Sequence, residues 1–336
     1  MKAATWTATR SLAVEDRPEP SPAAGETVIR VLACGICGSD LHFFRGEIPP
    51  REGLVPGHEI AGVVEGGDGL PVGTPVAVEP LMGCGTCVSC RAGQPQLCGR
   101  SRGLGMWVPG GMQQLLSVPA DYVYRLPEGI SPDTAAITEP LAVCVRGVHL
   151  AATPHGARVL VLGAGTIGLL TAMLLREVAS EVAITARYDH QRAAALRLGA
   201  SAVFEPGSPD LTAWSQPRPP EVVIETVGGH AGTLSEAIHA VAPGGTVVTL
   251  GVFVGDQAIP AYRLVAKEVR LLGSLMYARV GARSEFGMAV DLLPRYREEI
   301  ALLQTASFPL ARVNEAFETA ADKKRATIKV TVLPNS

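Results

Sequence analysis

Cys84, Cys87, Cys90 and Cys98 fall within fifteen residues, spaced C-x2-C-x2-C-x7-C. Four thiolates this close can complete a tetrahedral shell around Zn²⁺ and leave no open position, which makes a structural site rather than a reactive one. The competing readings are a redox-active CxxC pair and an iron–sulfur cluster, and nothing else in the chain suggests electron transfer. Seven cysteines, an odd number with this crowding, favour metal binding over disulfides in a cytosolic chain. The segment from about 83 to 99 therefore reads as a structural zinc lobe.

A second set of chemically able residues is dispersed. Cys37, Ser39, Asp40 and His42 share the stretch GICGSDLH, His58 and Glu59 share PGHE, and Glu139 opens TEPLAV. Alone, each has a plain explanation: a single cysteine is usually packing and a single glutamate a solvated charge. A third signal is Gly163-Ala164-Gly165-Thr166-Ile167-Gly168, which follows the apolar run VLVLG and opens a helical stretch. In that context the first glycine permits a tight turn, the second lets backbone approach a pyrophosphate, and the third allows close helix–strand contact.

Together, in this order and over essentially the whole chain, these motifs resemble the zinc-dependent medium-chain dehydrogenases of alcohols, polyols and threonine. The nearest branch is the sorbitol dehydrogenase-like polyol one. The resemblance implies a catalytic zinc held by Cys37, His58 and Glu139, with Glu59 able to approach or exchange onto the metal. Cys144, five residues after Glu139, is the rival third ligand, and Cys34 has no matching role. Three protein ligands leave one position for substrate, where zinc lowers the pKa of an alcohol so that hydride can pass to a nicotinamide. By the same resemblance Ser39 contacts the substrate oxygen, His42 carries the proton toward solvent through the cofactor ribose, and Asp40 orients the ring of His58.

The choice of nicotinamide rests on TARYDH, residues 185–190. NAD-using relatives carry a carboxylate at the end of the second strand, where it binds the adenosine ribose. Here Ala186 holds that position and Arg187 follows, with Arg192 about one helical turn later. Alanine makes room for a 2′-phosphate and a guanidinium can pair with it, so NADP(H) is expected over NAD(H). Two facts weigh against this: the chain has 24 Arg to 5 Lys, and Asp189 could bind ribose in a shifted register.

These residues must be positioned by two kinds of structure. Residues 1–149 are Gly- and Pro-rich with short apolar runs, which suits an irregular β domain. From 150 to 279 strand-like and helical runs alternate, as in a doubly wound parallel sheet. After residue 280 two amphipathic stretches, Glu285–Tyr296 and Val313–Ala321, precede a last strand, IKVTVL. Residues 280–336 are expected to return to the first domain. The expected fold is thus α/β, a GroES-like catalytic domain (1–149 with 280–336) and a Rossmann domain (150–279).

With 47% apolar residues, 18% charged and a net charge of −3, the chain has no basic tract for nucleic acid or a membrane surface. The N-terminus lacks the apolar core of a secretory signal, and Val159–Leu175 is broken by glycines, so a cytoplasmic location is the default. The resemblance implies two zinc ions per chain and a homodimer or homotetramer. Phe43, Phe44 and Leu275–Arg279, near the domain junction, are expected to line the substrate pocket. Met276-Tyr277 stands where polyol dehydrogenases often carry an Arg-Tyr pair, and Phe43 where a tyrosine is common, which puts sorbitol-like substrates in doubt. Three readings follow: a secondary alcohol or polyol dehydrogenase, an amino-alcohol dehydrogenase of the threonine or aminocyclitol type, and a non-catalytic NADPH-binding protein.

Overall fold

The alternating runs of the second half close into a six-stranded sheet. The computed structural model describes residues 1–336. In spatial order the strands are Ala202–Phe204, Glu181–Thr185, Arg158–Leu162, Val222–Glu225, Thr246–Thr249 and Arg270–Gly273. All neighbours run parallel. Arg158–Leu162 lies in mid-sheet, where the chain order reverses, and is buried at every position. That reversal is where a doubly wound sheet opens a crevice for a dinucleotide.

This sheet belongs to a unit formed by Leu141–Tyr277, and Met1–Pro140 joins Ala278–Ser336 in the other. By contacts the units divide at 140/141 and 277/278, where 149/150 and 279/280 were expected. The composition changes at Pro154, but the helix Thr138–Ala151 runs unbroken through the point where one unit gives way to the other. A helix has no local breaker at such a point, so composition does not mark it.

In the other unit the strand Glu26–Gly35 is the hub. It pairs antiparallel with Glu59–Gly67, Leu115–Pro119 and the C-terminal strand Lys329–Leu333. Trp6, Phe44 and Phe317 pack beneath, with Trp6–Phe317 and Phe44–Phe317 ring centroids 5.2 and 5.3 Å apart. That trio ties the helix Gly38–Arg45 to the helix Val313–Ala321. The stretch expected to be helical over Glu285–Tyr296 continues to Ala301, across a kink at Tyr296 two residues after Pro294. Proline removes one backbone donor and crowds the preceding turn, so the helix bends there without ending.

Glu79, just after the strand Pro75–Val78, is 2% exposed and accepts a 2.7 Å hydrogen bond from the Tyr124 hydroxyl. Burial pushes its carboxyl from 4.5 to about 7, against the pull of Tyr124 and Arg279. An acid whose folded pKa is raised contributes stability below its unfolded value and loses it as pH rises through the folded one. Glu79→Gln is therefore expected to raise stability by about 1–3 kcal/mol at pH 8 and to change little at pH 4.5, read as urea midpoints. Equal effects at both pH values would refute the buried-acid account.

Candidate active site

Strand Glu26–Gly35 delivers Cys37 to the start of the helix Gly38–Arg45. The Cys37 amide donates to Asp40 Oδ2 at 2.9 Å, half of a reciprocal cap that fixes both residues. The neighbouring strand begins at Glu59, which stands in register with Gly35. A Cβ on Gly35 would lie 1.9 Å from Glu59 Oε2, so only glycine leaves the carboxylate its place. The result is that one ligand atom from each of Cys37, His58 and Glu59 falls within 4.8 Å of the others.

Glu139 lies outside that tight group. It is 4% exposed in the first turn of Thr138–Ala151, close enough for its charge to favour the cationic form of His58. Burial pushes the Glu139 carboxyl up to about 7, against the pull of His58. Asp40 Oδ1 stands 3.8 Å from His58 Nδ1, and that nitrogen is buried with no hydrogen-bond partner. At this distance Asp40 acts on the ring by charge rather than by a hydrogen bond.

These residues fit zinc. Thiolate, imidazole and carboxylate are its usual donors. Burial opposes charge on His58, yet Asp40 and then Cys37 hold its pKa well above the ordinary value. Anionic neighbours around a buried imidazole favour a bound cation.

Sequence reasoning missed Lys329. Its Nζ donates to both Glu59 oxygens at 2.6 and 2.7 Å and to the Ile36 carbonyl at 3.1 Å. The lysine is 3% exposed and, although burial opposes its charge, Glu59 and Cys37 raise its pKa. The available signal was a lysine at the head of the terminal strand KVTVL, which is otherwise uncharged.

Ser39 and His42 are three residues apart on one helix, hence on one face. The His42 side chain is 13% exposed and its Nδ1 meets the Glu47 carboxylate. Glu47, also missed, reaches back because Gly46 turns the chain with φ 75°, and its amide donates to the His42 carbonyl.

The four lobe cysteines also bring their sulfurs within 4.8 Å of one another. Thr86 and nearby amides pull Cys84 down to about 5, and Arg100 donates to its sulfur at 3.2 Å. Burial pushes Cys90 up to about 11. Cys34 is fully buried, and burial raises its thiol well above the ordinary value. Cys144 donates to the Ile167 carbonyl at 3.3 Å, a structural role for the rival ligand.

In the sheet unit Gly163 adopts φ 101°, and a Cβ on Gly168 would lie 1.8 Å from the Gly163 carbonyl oxygen. Gly165 precedes the helix Thr166–Leu175 and gives it no side-chain cap, and Thr166 and Ile167 open its first turn, the kind of helix end that suits an anion. The Gly163 amide donates to Thr185 Oγ1 at 2.8 Å, which ties the turn to the end of strand Glu181–Thr185. Ala186 is buried there, Arg187 is exposed and Arg192 half-buried, neither arginine in an ion pair. Asp189 is exposed at the first turn of the next helix.

The expected pocket is corrected at Phe44. It is 2% exposed, because a 3.6-residue period turns Leu41 and Phe44 inward under Trp6 and Phe317. Phe43 is partly buried against the same core, and Tyr277 is fully buried while Leu275 is 54% exposed.

No helix is long and apolar enough to cross a membrane. Residues 23–128 match the alcohol dehydrogenase GroES-like domain and residues 166–295 the zinc-binding dehydrogenase domain. The 2-dehydro-3-deoxy-L-galactonate 5-dehydrogenase of Pseudoalteromonas atlantica is 31% identical over 327 residues, 94% of each chain. The L-threonine 3-dehydrogenase of Saccharopolyspora erythraea is 35% identical over 324 residues, 92% of each chain. A crystal structure of a zinc-binding dehydrogenase from Sinorhizobium meliloti 1021, bound to NADP, superposes with TM-score 0.89 at 30% identity over 99% of each chain. With its two matched domains, its Cys37–His58–Glu59 cluster and these full-length relatives, the chain belongs to the zinc-dependent medium-chain alcohol dehydrogenases, on their polyol side.

Proposed function

We propose that the protein is an NADP(H)-dependent dehydrogenase of secondary alcohols on polyols or sugar acids, or a reductase of the matching ketones. The convergence of Cys37, His58 and Glu59 within 4.8 Å carries this reading. Zinc held by Cys37, His58 and Glu139, with Glu59 beside it, would supply a Lewis acid that polarises the substrate oxygen. A second zinc in the cysteine lobe would brace that loop. Ser39 would accept the substrate hydroxyl proton at Oγ as its own leaves toward His42, which holds a proton on the solvent side, with Glu47 fixing the imidazole ring.

Asp40 and Lys329 complete the arrangement. Asp40 holds Cys37 in place through its amide, and Lys329 balances the charge of Glu59. The free cysteines suit a cytoplasmic site of action, where thiolates stay reduced. A homodimer or homotetramer belongs with this reading, since Arg270–Gly273 is an open sheet edge and Tyr262 and Val265 are exposed.

NADP(H) is preferred because Ala186 and Arg187 replace a ribose-binding acid with room and positive charge. Ala186→Asp combined with Arg187→Ile is expected to move the preference toward NAD by roughly 30–300-fold in kcat/KM, the worth of one or two charge-assisted contacts. An unchanged ratio would move the 2′-phosphate contact elsewhere. The relationship to an L-threonine 3-dehydrogenase favours a second reading, an amino-alcohol substrate.

A turnover screen of polyols, sugar acids and amino alcohols with NADP⁺ and NAD⁺, alongside zinc analysis, tests both. Zinc-dependent oxidation of a polyol or sugar acid, faster with NADP⁺, is expected. Amino alcohols as the sole substrates would select the second reading, and bound NADPH with no turnover at all would indicate a binding protein.

A further inference from the structure

The cysteine lobe has a charge pattern that four metal ligands do not by themselves require. Between Gly83 and Gly103 the chain carries Arg91, Arg100 and Arg102 and not one aspartate or glutamate. Four thiolates around a divalent zinc leave negative charge in surplus, and no backbone group can neutralise it. A cation placed on the sulfurs can.

Arg100 is the arginine whose side chain reaches a sulfur. Its Nη2 donates to Cys84 Sγ at 3.2 Å and to Thr86 Oγ1 at 3.0 Å. Its own amide donates to Cys98 Sγ at 3.4 Å. One residue therefore touches the first and the last sulfur of the motif, one with its side chain and one with its backbone. Cys87, between them, accepts from the Cys90 amide at 3.5 Å, and the Cys84 and Cys90 sulfurs stand 4.0 Å apart.

The local fold fixes Arg100. Strands Leu81–Met82 and Arg102–Gly103 pair antiparallel with Met82 opposite Arg102, so the chain enters and leaves the lobe through one short ladder. The Ser101 amide closes on the Cys98 carbonyl at 3.0 Å, a turn with Gly99 and Arg100 at its corner. On its other side the lobe is latched to the following strand, because the Arg279 amide donates to the Gly93 carbonyl at 2.7 Å.

We infer that Arg100 is the counter-charge of the cysteine lobe: it offsets part of the surplus negative charge of the metal–thiolate cluster and sets how long the lobe keeps its zinc. The inference goes beyond the dehydrogenase reading and rests on one part of it, zinc binding by the lobe. Arg100 touches no substrate and acts as a positioning residue toward the metal. A guanidinium hydrogen-bonded to a thiolate draws electron density from sulfur and opposes its protonation, the step by which a metal is lost. Lysine would keep the charge without the fork that meets Cys84 and Thr86 together.

Zinc transfer to the chromogenic chelator 4-(2-pyridylazo)resorcinol is followed with the full-length, zinc-loaded Cys37→Ser chain, in which the lobe keeps all four sulfurs. Adding Arg100→Gln is expected to speed release about three- to tenfold, between the worth of an exposed ion pair and that of a charge-assisted bond. Arg100→Lys is expected to fall between, and Arg91→Gln to release zinc at the parent rate. In the cadmium-loaded protein the thiolate-to-metal charge-transfer band is expected to move to lower energy with Arg100→Gln and to stay in place with Arg91→Gln.

Parent-rate release from Arg100→Gln would overturn the inference. So would an equal acceleration by Arg91→Gln, which would make Arg100 one diffuse charge among three. Faster release with an unmoved band would also overturn it, since loosened packing alone leaves the sulfur electrons as they were. A lobe that takes up no zinc in the parent chain would sink the zinc reading together with this inference, whereas zinc held equally well without Arg100 would sink this inference alone.

Discussion

Cys37→Ser is expected to lower kcat/KM by at least about 10³-fold while the chain stays folded. Losing a Lewis acid removes several kcal/mol of charge stabilisation at the reacting oxygen, and each 1.4 kcal/mol is about tenfold. The fold is spared for a local reason. Cys37 is the N-cap of Gly38–Arg45, and serine is a better cap than cysteine, so the helix that carries Ser39 and His42 keeps its start. Zinc analysis should fall from about two ions per chain to about one, since the cysteine lobe retains all four of its sulfurs. Turnover within tenfold of the parent, with the metal content unchanged, would remove Cys37 from the chemistry.

Lys329→Met is expected to destabilise the protein by about 3–5 kcal/mol, the usual result of leaving one partner of a buried ion pair uncompensated. Lys329 and Glu59 are 3% and 0% exposed, so water cannot take over the lost contacts. The double variant Lys329→Met/Glu59→Gln is expected to recover most of the loss, because it removes the stranded charge together with its partner. Denaturant midpoints at fixed zinc concentration read both. A single variant costing less than about 1 kcal/mol would mean that Glu59 finds another counter-charge.

The two predictions bear on different layers of the site, and the sequence disclosed them unequally. Cys37, His58 and the lobe cysteines were legible because metal ligands must be of a few residue types at short spacings. Gly163 and Gly168 were legible because no other residue meets the backbone demand there: one has φ 101°, and the other lies against a carbonyl. Lys329 and Glu47 were not. A counter-ion can come from any segment that the fold brings near, so no spacing announces it. Lys329 is 270 residues from Glu59 along the chain. Phe44 shows the converse: adjacent to a motif, it read as pocket lining until helical periodicity turned it into the core.

By itself the sequence determined which side chains have metal-binding chemistry, where the glycine turn falls, and the alternation that makes a parallel sheet. These are local properties, set by side-chain chemistry and by φ and ψ at single residues. The tertiary structure decided where one unit gives way to the other and which charge answers which. It paired Lys329 with Glu59, because burial and long-range strand pairing, not spacing, determine the electrostatic surroundings of each group.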